Sequence, residues 1–197
     1  MSYSNIMLFN RVVDIDFKVT PTLSIPKSIE APPHILIKNY KPSNSFAMIN
    51  SDEDYRKIKY ASKVASSALY ESMIRIKKGV LTNGDEIDKF VHNYITDKNC
   101  YPSSLGYQKF PKSICISPND SMRYIYNKTI VVCHGIPNTF QFKQGDFINL
   151  DLTVYYKGMH SDTSAMISIG EVHPKIKSLV TIYNNYAIDN GNTKRFI

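Results

Sequence analysis

Apolar residues recur at helical spacing along a stretch that begins at Ser51 and ends at Gly79. Ser51 precedes an acidic first turn, and Lys77 and Lys78 stand just before the glycine, which are typical signals of a helix start and a helix end. The apolar positions that share one face are Ile58, Ala61, Ala65, Ala68, Leu69, Met73 and Ile76. Such a stripe predicts a long helix with one face in the core.

A second helical pattern starts at Thr82 and Asp85, and a third restarts after His173. The apolar side of the second consists of Ile87, Phe90, Val91, Tyr94 and Ile95. Between the second and the third helical patterns, the spacing of the apolar residues becomes shorter, which is typical of strands. The predicted strands lie in KSICIS (112–117), in KTIVVCHGIP (128–137), and in a strand–turn–strand that runs through residues 149–164.

The stretch NLDLTVYYKGMHSDTS (149–164) places two acids, Asp151 and Asp162, in an otherwise strand-like pattern. Its apolar face consists of Ile148, Leu150, Leu152 and Val154. Because side chains alternate between faces, Asp151 lies on the other face together with Thr153. A two-residue turn at Lys157 and Gly158 would set Thr153 opposite Asp162 and put both acids on one face, roughly 7–8 Å apart.

Two carboxylates this close repel each other and would raise one pKa unless a cation lies between them. Hard oxygen pairs of this kind suit Mn, Fe, Co, Zn or Mg rather than soft metals. The alternative from spacing alone is a pair of solvated acids on the exposed face of a hairpin. A bulge would also move Asp162 to the opposite face.

Residues 1–50 differ from the rest of the chain, because half of its ten prolines fall between Pro21 and Pro42. This composition predicts a proline-rich, extended N-terminal arm that lies on a surface. The remaining residues, 51–197, form the folded domain on this interpretation.

Composition narrows the class of protein. The chain has 197 residues, is 43% hydrophobic, and carries a net charge of +7, so it can bury a core and is not typical of a disordered chain. Basic charge could favour an acidic surface or RNA, but no arginine stripe with interleaved aromatic residues supports a specific nucleic-acid role. The three cysteines are odd in number and lack a CxxC pair, which suits a reducing compartment. No apolar run is long enough for a membrane span.

Three ordered motifs resemble the type I methionine aminopeptidases: YPSSLGYQKFPKSICIS, VVCHGIP and QGDFINLDLTVYYKGMHSDTS. The resemblance runs from about Ile49 to Ala187, and the segment KSIEAPPHILIKNY is similar to the proline-rich lead-in of eukaryotic members. It implies an α/β (α+β) chain with the N-terminal half of the pita-bread fold, an antiparallel sheet with helices on one side. In that fold, two related halves enclose two divalent metal ions (Co, Mn, Fe or Zn).

The resemblance also implies roles for individual residues. Asp151 and Asp162 match metal ligands, the second of which bridges both ions, and His134 matches a catalytic residue that binds the substrate and helps to stabilise the tetrahedral intermediate. Tyr107, Phe110 and Cys115 match positions that line the methionine side-chain pocket. The implied reaction is removal of the N-terminal methionine from nascent polypeptides, by a metal-bound hydroxide that attacks the first peptide carbonyl.

Several features depart from the family pattern. Gln108 stands where many relatives carry histidine, and SMRYIYNKTI (121–130) resembles an insertion that lengthens a surface hairpin. The family supplies three further ligands, one His and two Glu, from its second half, but after Gly170 the chain offers only Glu171, Asp189 and His173. We therefore expect residues 51–197 to be an incomplete catalytic domain, inactive as an isolated polypeptide.

Further expectations concern location and partners. A cytoplasmic location is predicted, with an organelle such as a mitochondrion or plastid as the alternative, and the ribosome is a candidate partner. The alternative function is a non-catalytic binding protein of the same fold that associates with ribosomes or RNA, although such a protein has no need of Asp151, Asp162 and His134.

Overall fold

The computed structural model describes residues 18–41, 49, 51–119, 124–126, 129–131 and 135–189. Within them the helices are α1 (Pro33–Leu36), α2 (Asp52–Lys77), α3 (Gly84–Thr96) and α4 (Pro174–Asp189). The strands are β1 (Tyr101–Pro102), β2 (Cys115–Pro118), β3 (Tyr124–Tyr126), β4 (Thr129–Val131), β5 (Phe147–Tyr156) and β6 (Met159–Ser168). The three long helical patterns in the sequence are thus confirmed as α2, α3 and α4.

Strand β5 is the centre of the main sheet. It pairs with β6 along one edge and with β1 and β2 along the other, and every pairing is antiparallel. Strands β3 and β4 form a separate two-stranded antiparallel sheet, which lies within the predicted insertion (121–130) except for Val131. Helix α2 packs against β5 and β6, and α3 packs beside α2. This arrangement confirms the predicted antiparallel sheet with helices on one side.

The core lies between the helices and one face of the sheet. Along β5 the buried positions alternate as the sequence predicts, and Ile148, Leu150, Leu152 and Val154 are all fully buried. The apolar stripes of α2 and α3 meet them, because Ala61, Ala65 and Ile87 belong to the same buried cluster. The opposite face of β5 carries Asp151 and Thr153, which are only partly buried.

The helix starts show how local hydrogen bonds set the boundaries. Ser51 caps α2 as predicted, since its hydroxyl accepts from the Asp54 N–H at 3.1 Å. Helix α3 begins later than expected, because Asn83 is its cap and accepts from the Glu86 N–H at 3.0 Å. The Glu86 carboxylate in turn accepts from the N–H of Thr82 at 2.7 Å, which keeps Thr82 outside the helix.

The N-terminal segment 18–41 follows the surface of the domain and includes the short helix α1. It is attached to the domain at its start and near its middle. The Lys18 N–H donates to Thr139 Oγ1 at 3.0 Å, and the Tyr155 hydroxyl donates to Glu30 Oε1 at 2.6 Å. Ile29 is buried against the aromatic rings of Tyr101 and Tyr155. These contacts place the second half of the segment beside the end of β5.

Candidate metal and substrate site

The β5–β6 hairpin brings the two acids to one face of the sheet. Lys157 and Gly158 form its two-residue turn with φ values of 45° and 92°, the pair of positive φ angles that a type I′ turn requires. Thr153 pairs with Asp162 and Asp151 pairs with Ser164, so the predicted register is confirmed. Because Asp151 and Thr153 are two residues apart on β5, both carboxylates project from the same face.

Asp162 has a local partner that the sequence analysis left without a role. The hydroxyl of Thr153 donates to Asp162 Oδ1 at 2.5 Å, directly across the strand pair. This bond fixes one carboxylate oxygen and leaves Oδ2 for another ligand. The signal was available in the sequence, since the alternation that places Asp151 on this face also places Thr153 there.

Cys115 lies beside the acids, because β2 pairs with β5 so that Cys115 is opposite Asp151. Burial raises the pKa of the Cys115 thiol to about 12, and the negative charges of Asp151 and Asp162 add to this effect. The thiol is therefore protonated at neutral pH and is a poor nucleophile. Cys115 is thus a small, buried side chain next to the carboxylates.

His134, the predicted catalytic residue, lies outside the described residues, but the chain that follows it is well placed. Gly135 runs beside β2: its carbonyl accepts from the Ile116 N–H at 2.9 Å and its N–H donates to Ser117 Oγ at 3.1 Å. A Cβ at Gly135 would lie 1.9 Å from the carbonyl oxygen of Ile116, so only glycine permits this approach. Gly135 is thereby held next to the strand that carries Cys115.

Tyr107 and Phe110 lie on a closed loop that precedes β2. The Ser103 N–H at the start of this loop donates to the carbonyl of Thr153 at 2.8 Å, which places the loop against β5 at the level of Asp162. Gly106 has a φ of 84°, and its N–H donates to the Phe110 carbonyl at 2.8 Å. Tyr107 is 47% exposed, whereas Phe110 is half-buried.

A buried ionic cluster below β2 was missed by the sequence analysis. The side chain of Lys112 is fully buried, and its Nζ lies 3.3 Å from both Asp85 Oδ1 and Asp88 Oδ2 and 2.7 Å from Thr20 Oγ1. Thr20 also donates to Asp85 Oδ1. Asp88 accepts from the Ser113 N–H at 2.7 Å. The cluster therefore joins the N-terminal segment, α3 and the chain that leads into β2.

The two acids of this cluster respond differently to burial. For Asp88, burial raises the pKa, and the Ser113 N–H and the charge of Lys112 offset only part of that rise. For Asp85, burial also acts upward, but hydrogen bonds from Lys89 and Thr20 and the charge of Lys112 lower the pKa overall. Lys112 is thus the cation that both buried carboxylates share, and Lys89 adds a second cation at Asp85 alone.

A metal centre needs oxygen or nitrogen donors that converge. Asp151 and Asp162 supply hard carboxylate oxygens on one face, with Thr153 to orient the second, which fits a divalent cation. In the part of the chain that the structure describes, however, no group of three or more His, Cys, Asp or Glu side chains is placed to hold an ion. Among the described residues, the hairpin therefore brings together two carboxylates.

Comparison with known proteins gives a consistent result. Residues 56–188, more than half of the chain, match metallopeptidase family M24. The chain is 39% identical over 165 residues to methionine aminopeptidase 1B, chloroplastic, of Arabidopsis thaliana, which covers 84% of this chain and 42% of that protein. It is 35% identical to methionine aminopeptidase 2 of Mycobacterium tuberculosis, over 82% of this chain and 52% of that protein.

A solved structure supports the fold. The crystal structure of methionine aminopeptidase from Rickettsia prowazekii superposes with a TM-score of 0.59 and 33% identity, over 73% of this chain and 53% of that one. The chain thus spans about half the length of the curated relatives it matches. These relatives include chloroplastic and mitochondrial proteins. Within the described residues, no helix is both long enough and apolar enough to cross a bilayer.

Proposed function

Because this chain belongs to metallopeptidase family M24, we propose that it functions as a metalloaminopeptidase, which removes the N-terminal methionine from polypeptides. The observation that carries the proposal is the hairpin register, which sets Asp151 and Asp162 on one sheet face beside Cys115. Relatives that bear the name methionine aminopeptidase match over most of the chain. They lend no support to the alternative of a non-catalytic binding protein.

Asp151 and Asp162 would hold the metal, and a site of two divalent ions (Co, Mn, Fe or Zn) is the finer proposal. A bound divalent ion supplies Lewis acidity and activates water for attack on a peptide carbonyl. The chain's own part is to present the carboxylates in a fixed orientation, which the Thr153 hydroxyl does for Asp162.

Substrate recognition is assigned to the loop and strand next to the acids. Tyr107 and Phe110 supply aromatic surface and Cys115 a small apolar one, a combination that suits the unbranched thioether of methionine. We assign to His134 the contact with the reacting peptide, supported by the tight approach of Gly135 to β2. Nascent polypeptides that begin with methionine are the proposed substrates, in the cytoplasm or an organelle and with the ribosome as the proposed partner.

The first prediction concerns metal binding. We expect Asp151→Asn and Asp162→Asn each to weaken Mn²⁺ binding at least about tenfold, because each removes one of two charged ligands. Substitution of a residue that only hydrogen-bonds a metal ligand commonly weakens metal binding by that much. Free Mn²⁺ measured by electron paramagnetic resonance during titration gives the affinity. Asp97→Asn, an exposed acid at the end of α3, is the matched control. Equal Mn²⁺ affinity in all three variants and the unsubstituted chain would remove the metal assignment.

The function is tested with peptides. In the presence of Mn²⁺, Met-Ala-Ser is expected to bind the chain more tightly than Glu-Ala-Ser, and the preference should disappear in Asp151→Asn. With only two carboxylate ligands among the described residues, the 197-residue chain is expected to release little free methionine by itself. Rapid metal-dependent release would support the function and contradict that expectation. Binding with no preference for methionine would contradict the proposed function.

The second prediction concerns Thr153. Thr153→Val keeps the shape of the side chain but removes the hydroxyl that holds Asp162, so Mn²⁺ affinity should fall about 10- to 100-fold. Thr163→Val is the control, because Thr163 pairs with Leu152 and belongs to the opposite face of the sheet. If both threonine variants bind Mn²⁺ as the unsubstituted chain does, the hydrogen bond to Asp162 has no part in metal binding.

A further inference from the structure

Residues of the N-terminal segment contact the loop that carries Tyr107. The rings of His34 and Tyr107 meet edge to face, with centroids 5.3 Å apart and planes at 89°. Ile35 packs on the neighbouring residue so closely that a Cβ at Gly106 would come within 2.5 Å of Ile35 Cδ1. Two consecutive residues of α1 therefore touch two consecutive residues of the proposed substrate loop.

His34 is held in this position by contacts on its other sides. It hydrogen-bonds the backbone of Ser103, and its ring stacks on that of His160 with centroids 6.2 Å apart. His160 in turn hydrogen-bonds Ser103 Oγ through Nδ1 at 3.0 Å. His34 is thus fixed between Ser103, at the start of the loop, and Tyr107, near its middle.

The hydrogen bonds show which ring nitrogen of His34 carries the proton. Among the described residues, His34 Nε2 is buried without a hydrogen-bond partner, so the bond to Ser103 is made by Nδ1. The Ser103 N–H already donates to Thr153, so Nδ1–H donates to the Ser103 carbonyl. Burial lowers the pKa of His34, and the Ser103 carbonyl offsets part of that effect. The ring is therefore neutral near pH 7 and packs against Tyr107 as an aromatic surface.

The same stretch of chain is anchored just before α1. Ile29 is buried with Tyr101 of β1 and with Leu105 of the loop, and Glu30 accepts a hydrogen bond from the hydroxyl of Tyr155. These contacts immobilise the chain on the amino side of α1. The contact between His34 and Tyr107 is therefore made by a segment that is already ordered, which lowers the entropy cost of holding the tyrosine ring.

We propose that His34 and Ile35 position Tyr107, so that the N-terminal segment forms the outer wall of the methionine pocket. That this surface is a methionine pocket rests on the proposed function, but the contact of His34 and Ile35 with the loop does not. Tyr107 is 47% exposed, and a ring this open needs a fixed neighbour if it is to present one face to a substrate side chain. His34 is a positioning residue on this view, acting through Tyr107 and not on the substrate.

The chain contains no tryptophan, which allows a direct test. In a Tyr107→Trp background, the introduced indole is the single one in the chain, and acrylamide quenching of its fluorescence reports how well the ring is held. Adding His34→Ala should shift the equilibrium between the docked and the undocked ring about two- to ten-fold, the range that an edge-to-face aromatic pair supplies. Ile35→Ala should act in the same direction. Leu36→Ala, at a neighbouring residue that is 69% exposed, is the matched control.

Two conservative variants separate the ring contact from the hydrogen bond. His34→Phe keeps the aromatic edge but loses the Ser103 bond, whereas His34→Asn can keep that bond but loses the ring. Positioning by the ring predicts that His34→Phe restores the low quenching of the indole and that His34→Asn does not. A purely structural role through Ser103 predicts the reverse order, and that result would overturn the proposal. Circular dichroism confirms that each variant is folded.

A peptide titration in the same samples separates this inference from the proposed function. Quenching or protection of the indole by Met-Ala-Ser with Mn²⁺, weakened by His34→Ala but not by Leu36→Ala, supports both. A second outcome is that His34→Ala changes acrylamide quenching but Met-Ala-Ser has no effect on the indole. This result would mean that His34 positions residue 107 but that residue 107 does not line a methionine pocket, so the proposed outer wall would be rejected. Quenching that is equal in His34→Ala, Ile35→Ala and Leu36→Ala would overturn the inference and leave the proposed function intact.

Discussion

Replacement of Lys112 by methionine is expected to lower the free energy of unfolding by about 3–5 kcal/mol, the usual cost of removing one partner from a buried ion cluster. Methionine fills a similar volume, so the loss would come from charge and not from a cavity. Lys112 is fully buried within 3.3 Å of Asp85 and Asp88, and the variant would leave both carboxylates without this cation. Equilibrium unfolding in urea measures the effect.

Lys89→Met is the matched control, because Lys89 contacts the same Asp85 carboxylate at 2.7 Å but is 54% exposed. Solvent screens such a pair, so its loss should have a much smaller effect than the loss of Lys112. A double change that neutralises the acids, Asp85→Asn with Asp88→Asn in the Lys112→Met background, should recover part of the lost stability. Equal destabilisation by Lys112→Met and Lys89→Met would show that burial of the lysine is not what matters.

The stability of the Lys112→Met variant should depend on pH in a direction that follows from the pKa of Asp88. Burial raises the pKa of Asp88 above the ordinary value of an aspartate, about 3.9, and Lys112 opposes that rise. Without Lys112 the folded-state pKa lies higher still, so the folded protein binds a proton more readily than the unfolded chain does. Stability then falls as the pH rises from about 3.9 through the folded-state pKa. The deficit of Lys112→Met relative to the unsubstituted protein should therefore be smaller at about pH 4 than at about pH 7.

This ionic cluster also shows which parts of the fold are readable from the sequence. Periodicity is a local property, so it predicted α2, the alternation of β5 and the pairing of Thr153 with Asp162 without tertiary information. The cluster instead joins Thr20, Asp85 and Lys112, which lie far apart in the chain. In the sequence, Lys112 is an ordinary polar residue at the start of the strand predicted over 112–117, whereas the structure begins β2 at Cys115. Only the packing of three segments shows Lys112 to be buried.

The candidate site likewise has one part that the local sequence pattern predicted and one part that it did not. The two acids could be placed on one face by counting from a turn, because Lys157 and Gly158 fix the register of a hairpin. The contact of His34 with Tyr107 depends on a proline-rich segment whose path over the domain is set by separate anchors at Ile29 and Glu30. No periodic pattern encodes such a path, so the contact of His34 with Tyr107 was not predicted.

Substitution of Gly135 by alanine is expected to destabilise the protein by about 3 kcal/mol or more, at or beyond the upper end of the usual cost of overpacking. The added Cβ would lie 1.9 Å from the Ile116 carbonyl oxygen, and this obstacle is backbone that cannot rotate away. Relief requires the chain at Gly135 to separate from β2, with loss of the Ile116 N–H bond to the Gly135 carbonyl. Gly79→Ala is the control, because that glycine has a φ of 69° but no atom within 4 Å of a Cβ.

The two alanine variants should differ in more than stability. Gly79→Ala tests only the strain of a left-handed residue, about 1 kcal/mol, and lies far from β2 in the chain. Gly135→Ala separates the chain at Gly135 from the strand that carries Cys115. Alkylation of Cys115 by iodoacetamide, mapped by mass spectrometry, should therefore become faster than in Gly79→Ala. Cys100, which is also buried, gives the internal reference for global unfolding. Slow alkylation of Cys115 together with full stability in Gly135→Ala would mean that the close approach of Gly135 to β2 does not hold these two segments together.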